Sequence, residues 1–291
     1  MKRSFLFLLM LFFTLHTVFA QGEKARSPEA GQAFNQGLNL AKKQKYEEAI
    51  AKLKIAVEKD SNFPEAHYML GYCYKKLNDF GKAEQEYKKA IDLDKKFEKA
   101  YVALGNIQAA ADRKAEAINT YNAALGINEN NPKANFALGK VYFDKKEFSK
   151  ALPYLQKAVS TKKNYVLAHT VLGLTYKNLK KSDKAVKEFD QAIKYEKRSN
   201  KKGTYYFHKG EILVAAEKYK AAEKALLNAL KYSHRSSIKA GANFYLGEVY
   251  RKSGRKTKAL QSYAKAAKDR KWKQSAEYEI DLLKNPDKYV N

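Results

Sequence analysis

The side chains that could do acid–base or nucleophilic chemistry are few and scattered. There are five histidines, His16, His67, His169, His208 and His234, and one cysteine, Cys73. His208 and His234 have no Cys, Asp or Ser at a spacing that would complete a nucleophile–base set. No glycine-rich loop of phosphate-cradling type occurs, and no His/Cys/Asp/Glu spacing matches a metal site. A single cysteine excludes an intramolecular disulfide framework. The sequence therefore points to no enzyme activity, no cofactor and no metal. What it carries in quantity is charge and aromatic surface, the means of recognition rather than of bond making. There are 57 Lys+Arg against 31 Asp+Glu, a net charge of +26. The imbalance is uneven: residues 21–160 hold 24 basic and 18 acidic residues, whereas 161–291 hold 31 and 13. The densest cluster is Arg251, Lys252, Arg255, Lys256 and Lys258, with no acidic residue among them. Left unneutralised, such a cluster would attract an anionic polymer, lipid headgroups or an acidic protein.

The elements that position these groups begin after residue 20. Lys2 and Arg3, an apolar run from Ser4 to Leu15, and the small residues Val18 and Ala20 follow the order of a secretory signal peptide. Cleavage is expected between Ala20 and Gln21. The apolar run is shorter than the roughly 20 residues a bilayer span needs, so no transmembrane segment is expected after cleavage, and the mature chain is expected to be periplasmic or secreted. Export also turns the reading of a basic chain away from nucleic acid.

Beyond the leader the chain repeats. Gly37, Gly71, Gly105, Gly139 and Gly173 fall 34 residues apart, and Gly210 and Gly247 continue at intervals of 37. Twelve residues after each glycine stands an alanine (Ala49, Ala83, Ala117, Ala151, Ala185, Ala222, Ala259), and seven further on another, from Ala56 to Ala266. A large residue, Leu53, Tyr87, Tyr121, Leu155, Phe189, Leu226 or Tyr263, lies four after the first alanine. Small residues at fixed spacing let two helices approach closely, and a period in this range is the mark of a solenoid. On these residues the chain resembles the tetratricopeptide repeat family.

The resemblance implies an all-α, right-handed superhelical solenoid of antiparallel helix pairs. Seven units are set at 30–63, 64–97, 98–131, 132–165, 166–199, 203–236 and 240–273, after a short segment at 21–29 and before a capping helix and tail at 274–291. In the cap, Tyr278, Leu282 and Leu283 are expected to cover the last repeat, with Glu279 outside. His67 and His169 occupy a structural position and are expected to pack. Three-residue insertions at 200–202 and 237–239 are expected to lengthen a loop or to change the stacking near 200–210. Pro64 and Pro132 suit the first turn of a helix.

The resemblance also implies a non-enzymatic scaffold that binds a protein or peptide partner in a concave groove, in the cell envelope, of the kind that serves an envelope assembly or secretion machinery. The side of each first helix that lines such a groove carries Phe34 and Leu38, Tyr68 and Tyr72, Val102 and Asn106, Phe136, Lys140 and Phe143, Leu174, Phe207, and Phe244. The family's carboxylate-clamp subtype, which grips a chain terminus with paired Lys, Asn and Arg, does not match: the fifth position of each unit is never Lys, and Asn106 is the only Asn at the ninth.

Overall fold

The computed structural model describes residues 27–289. The expected signal peptide and its cleavage site lie outside the described residues. Among the described residues there are fifteen α-helices, one short 3-10 turn (Pro286–Tyr289) and no strand. None of these helices is long and apolar enough to cross a membrane. The chain divides into two compact units, residues 1–100 and 101–291.

The first unit holds α1 (Pro28–Lys42), α2 (Tyr46–Lys59), α3 (Pro64–Lys76) and α4 (Phe80–Leu93). Proline opens α1 and α3 at the first turn, where the missing N–H has no helical partner to lose. Asp79 caps α4, its carboxylate accepting from the Lys82 N–H at 3.1 Å. The helices pair as α1 with α2 and α3 with α4, and α2 packs on α3. The core is made of alanines against one large residue per pair: Ala49, Leu53 and Ala56, then Ala83, Tyr87 and Ala90, all at most 1% exposed.

Helix α5 (Glu98–Ala110) runs through the division and opens the second unit. There α6 (Lys114–Ile127), α7 (Pro132–Asp144), α8 (Phe148–Thr161), α9 (Val166–Asn178) and α10 (Ser182–Tyr195) follow. They lead to α11 (Ser199–Ala215), α12 (Tyr219–Tyr232), α13 (Ser236–Lys252), α14 (Lys256–Ala266) and α15 (Lys273–Lys284). Asn131 caps α7 from its side chain, accepting from the N–H groups of Lys133 and Ala134. Pro153 lies inside α8 on its exposed side.

The repeated glycines do what the spacing predicts. A Cβ at Gly37 would lie 2.7 Å from Leu53 Cγ, at Gly71 2.7 Å from the Tyr87 ring, and at Gly173 2.9 Å from Phe189. Each glycine faces the large residue sixteen positions later, which fills the space its missing side chain leaves.

The turns between the two helices of each repeat share one device. Residues Gln44, Asn78, Asp112, Lys146, Lys180, Glu217 and Gly254 all have positive φ, between 56° and 72°. In each turn the next N–H reaches back to close the preceding helix, as Lys45 does to the Leu40 carbonyl (3.0 Å), Lys181 to Tyr176 (2.9 Å) and Arg255 to Tyr250 (2.8 Å). This is the Schellman arrangement, in which a left-handed residue lets orphan carbonyls find donors. Only one of the seven is glycine, so the other six bear the steric cost of a side chain at positive φ. Glu217→Gly is expected to raise stability by about 0.5 kcal/mol, and Gly254→Ala to lower it by about 1 kcal/mol although no atom lies within 4 Å of the new methyl. Urea unfolding of the two variants checks both signs.

The insertions correct one expectation. They do not lengthen a loop: α11 and α13 run 17 residues where α7 and α9 run 13. The added residues form an extra N-terminal turn in each helix, since Asn200, Lys201 and Lys202 contain no breaker. Gly203 in that turn sits against the Ser233 backbone, where a Cβ would fall 2.5 Å from the Ser233 nitrogen.

The capping helix is also turned from its expected face. Ala276 is buried, and Ile280 and Leu283 pack on the core of the last repeat, whereas Tyr278 is 52% exposed. Glu279, expected outside, is instead on the inner side, 3.2 Å from Arg251. The apolar face runs 276, 280, 283, a helical spacing that excludes 278.

Candidate functional site: a cleft in the third and fourth repeats

In the first unit the aromatic residues expected to line the groove are packed against other rings of the unit. Phe34 and Phe63 have ring centroids 4.7 Å apart, and Tyr68 lies between Tyr87 (5.7 Å) and Phe97 (5.3 Å). Burial pushes the Tyr68 phenol above its ordinary pKa. Tyr72 meets Tyr46 edge-on at 6.3 Å, with the Lys76 ammonium 5.5 Å from its ring. Leu38 is half-buried. Cys73, one position on, is fully buried, and burial pushes its thiol up to about 11, so it is a packing residue and not a reactive one.

In the second unit the groove opens. A cleft of about 450 Å³ is bounded by α5, α7 and the end of the fourth repeat. Val102, Phe136, Val141 and Tyr165 give it an apolar floor, and Asn106, Lys133, Lys140 and Asp144 a polar margin. It exists because the wall on α5 ends in small residues, Ala109 and Ala110, where α7 carries Phe143 and Asp144 at the equivalent positions. Phe136 is half-buried and meets Tyr165 at 4.9 Å. Asn106 is exposed, and its Oδ1 accepts from the Tyr121 hydroxyl at 2.8 Å. Lys140 is held 2.6 Å from Asp144. The cleft thus offers an aromatic edge, an amide and a paired cation and anion. Lys133, Asp144 and Tyr165 complete the site assembled from Val102, Asn106, Phe136 and Lys140. The signal for them was the run of small residues on α5, which leaves room rather than adding a group.

Farther along, Phe143 packs on Phe148 at 5.5 Å and Leu174 is half-buried. Phe207 is only 8% exposed, which removes it from the groove surface. The reason is Gly241 in the next repeat: without a side chain there the Phe207 ring settles against its backbone, 2.8 Å from where a Cβ would be. Phe244 is covered by Trp272 at 4.9 Å and meets Tyr263 at 5.5 Å. The stripe read from spacing is therefore open surface chiefly in the third and fourth repeats.

Next to it, Glu211 is a charged junction. Burial pushes its carboxyl up, but hydrogen bonds from His208 and Lys177 outweigh that and hold it at about 2. Lys177 Nζ lies 2.6 Å away and the Tyr245 hydroxyl donates at 3.3 Å.

The basic cluster is not the free patch its sequence suggests. Arg251 pairs with Glu279, and Arg255 forms a two-pronged contact to Glu223 (3.1 and 2.8 Å) while lying 4.4 Å over the Tyr250 ring. Only Lys252, Lys256 and Lys258 stay exposed. The neutralising carboxylates come from other helices, so counting local acids could not find them.

The histidines expected to pack are buried and have carboxylate partners. His67 Nδ1 lies 2.6 Å from Glu86, and His169 Nδ1 2.7 Å from Glu188, with His169 Nε2 2.8 Å from the Lys163 carbonyl. Each carboxylate stands nineteen residues after its histidine, a relation visible in the sequence once the helix pairing is known. Among the described residues no group of three or more His, Cys, Asp or Glu could hold a metal ion.

Comparison with known proteins follows the same lines. A profile described as TPR repeat matches residues 37–78 and 114–146. Profiles described as tetratricopeptide repeat match 64–97, 132–165 and 167–198, and 207–276. A search of curated proteins finds no match. Among solved structures, the C-terminal part of a TPR repeat-containing protein from Cytophaga hutchinsonii is similar with a TM-score of 0.67 at 17% identity, over 85% of this chain and 99% of that one. Pseudomonas aeruginosa pilF is similar with a TM-score of 0.63 at 18% identity, over 72% and 93%. YrrB, described as a TPR protein with an unusual peptide-binding site, is similar with a TM-score of 0.54 at 23% identity, over 62% and 91%. At these identities the likeness establishes the fold, and together with the family profiles, which span most of the sequence, it shows that the chain belongs to the tetratricopeptide repeat family.

Proposed function

We propose that this protein is a non-enzymatic interaction scaffold that takes a peptide segment of a partner protein into the cleft of the third and fourth repeats. The observation that carries the reading is the cleft itself: an apolar floor of Val102, Phe136 and Tyr165 beside Asn106, Lys140 and Asp144, open to solvent and of a size for one or two side chains. Sites of this kind bind through one buried aromatic or aliphatic anchor with polar groups fixing its direction. The reading extends to location. The leader-like order of residues 1–20 supports export to the envelope, with Gln21 as the first residue of the mature chain. N-terminal sequencing of the exported protein tests that part, and an intact Met1 contradicts it.

The binding part is tested by capture from native envelopes with three chains: wild type, Phe136→Ala and Ala110→Trp, the last of which fills the cleft. Both variants are expected to weaken capture of the same partner by about tenfold or more, the scale of losing one anchor, with helical content unchanged. Because the floor is apolar, capture should persist at about 1 M salt, where the Debye length is roughly 3 Å. Capture that survives both variants contradicts the assignment.

A further inference from the structure

We infer that the outer surface formed by α10, α12 and α14 is a docking face for an anionic lipid bilayer. Each of these helices carries a pair of exposed lysines two turns apart: Lys187 and Lys194, Lys224 and Lys231, and Lys258 and Lys265. A spacing of seven residues returns to nearly the same side of a helix about 10 Å along it, so each helix presents its pair outward together. None of the six has a carboxylate within ion-pair distance among the described residues, in contrast to Lys140, Lys145 and Lys150 of the fourth repeat, each paired to an acid.

The acids of the three helices are all engaged elsewhere. Asp183 takes Lys218 at 2.6 Å, Glu188 takes His169, Asp190 takes Lys209 at 2.5 Å, and Glu223 takes Arg255. α14 has no acid. Three of these four bonds join one repeat to the next. They consume the negative charge that would otherwise neutralise the lysines. Asp183 and Asp190 stand on the same side of α10 but are each matched to a lysine of the next repeat, so the six lysines are surplus positive charge on the face, and at its middle Leu227 is 47% exposed between Lys224 and Lys231.

The chemistry of the face selects among anionic partners. All six cations are lysines, mobile point charges on long apolar stems, rather than arginines, whose planar fork suits bidentate capture of individual phosphates. They are spread over three helices instead of lining a groove that could track a single polyanionic strand. An exposed leucine among lysines is the composition of a surface that rests on headgroups and lets one apolar side chain enter. The face lies on different helices from the cleft, so the inference is independent of the peptide-binding reading.

The test is co-sedimentation of the full chain with vesicles of phosphatidylcholine alone, or containing about 30% phosphatidylglycerol, at about 0.15 M salt. Binding is expected only to the anionic vesicles, and is expected to be lost at about 1 M salt. Lys187→Glu, Lys224→Glu and Lys231→Glu together are expected to reduce it at least tenfold. The neutral variant with Gln at the same three positions gives a smaller loss of the same sense and guards against a folding artefact of charge reversal. Lys42→Glu, Lys43→Glu and Lys54→Glu, which change net charge equally on exposed positions of the first unit, should reduce it less than threefold. Equal losses from the two triple variants, absence of binding to anionic vesicles, or displacement from vesicles by duplex DNA or polyglutamate at equal charge concentration would each overturn the inference.

Discussion

Gly139→Leu is expected to destabilise the protein by about 1–3 kcal/mol, through overpacking rather than through any change in the chain's flexibility. A Cβ on Gly139 would already lie 2.8 Å from Leu155 Cγ and 3.2 Å from the Leu155 backbone nitrogen. The side chain of Leu155 is fully buried and cannot swing away, and the backbone contact means that α7 and α8 themselves must separate. Gly126→Ala is the matched control. Gly126 lies near the end of α6 with nothing within 4 Å of a new methyl. There the gain in helix propensity acts alone and stability should rise by about 0.5–1 kcal/mol. The two glycines differ in little but their neighbours. Thermal or urea unfolding that moves both variants in the same direction contradicts the account of helix pairing.

Glu211→Gln is expected to cost about 2–3 kcal/mol near neutral pH and almost nothing in strong acid. The carboxyl of Glu211 is held at about 2 in the folded protein, well below its ordinary value of 4.5, because His208 and Lys177 more than offset its burial. A depressed folded pKa contributes stability that is complete above the unfolded value and is lost as pH falls through the folded one. The window therefore runs from about pH 5 down to about pH 2. A shift of this size corresponds to about 3 kcal/mol at roughly 1.36 kcal/mol per pH unit, and the carboxylate is only 20% exposed, so solvent screening removes little of it. Stability measured against pH should show a shallower acid limb in the variant. Parallel curves for wild type and Glu211→Gln would show that the junction does not hold the fold.

The fold was legible because its grammar is local and periodic. A glycine that meets a leucine or tyrosine sixteen residues on is a statement about one helix pair, and Gly37 and Gly247 make the same statement. The turns were legible only in part: Asn78 and Gly254 announce a left-handed residue, but Gln44, Lys146 and Glu217 adopt it because their repeats close in the same way, not because of their own preference. The insertions at 200–202 and 237–239 are located by the spacing but extend helices instead of loops, since three residues without a breaker are as willing to do one as the other.

The site was harder to read because it depends on what neighbouring repeats leave empty. Phe207 and Phe136 occupy the same position in their units, yet Phe207 is covered and Phe136 borders a cleft. Gly241 admits the first ring into the interior, while Ala109 and Ala110 open space beside the second. Periodicity assigns both phenylalanines to one side of a helix but says nothing of the depth of the surface there. Charge behaves similarly. The run 251–258 reads as uniformly basic, yet Glu223 and Glu279 reach it from helices twenty or more residues away in sequence.

The most direct test of the central claim is site-specific photocrosslinking in native envelopes. A photoreactive phenylalanine analogue at position 136, on the cleft, is compared with the same group at Asn122, an exposed position on the outside of α6. The account predicts a discrete covalent adduct with a partner polypeptide from position 136 that disappears when Ala110→Trp fills the cleft, and none from position 122. An adduct from position 122 with none from position 136, or one from 136 that persists when the cleft is filled, would contradict it.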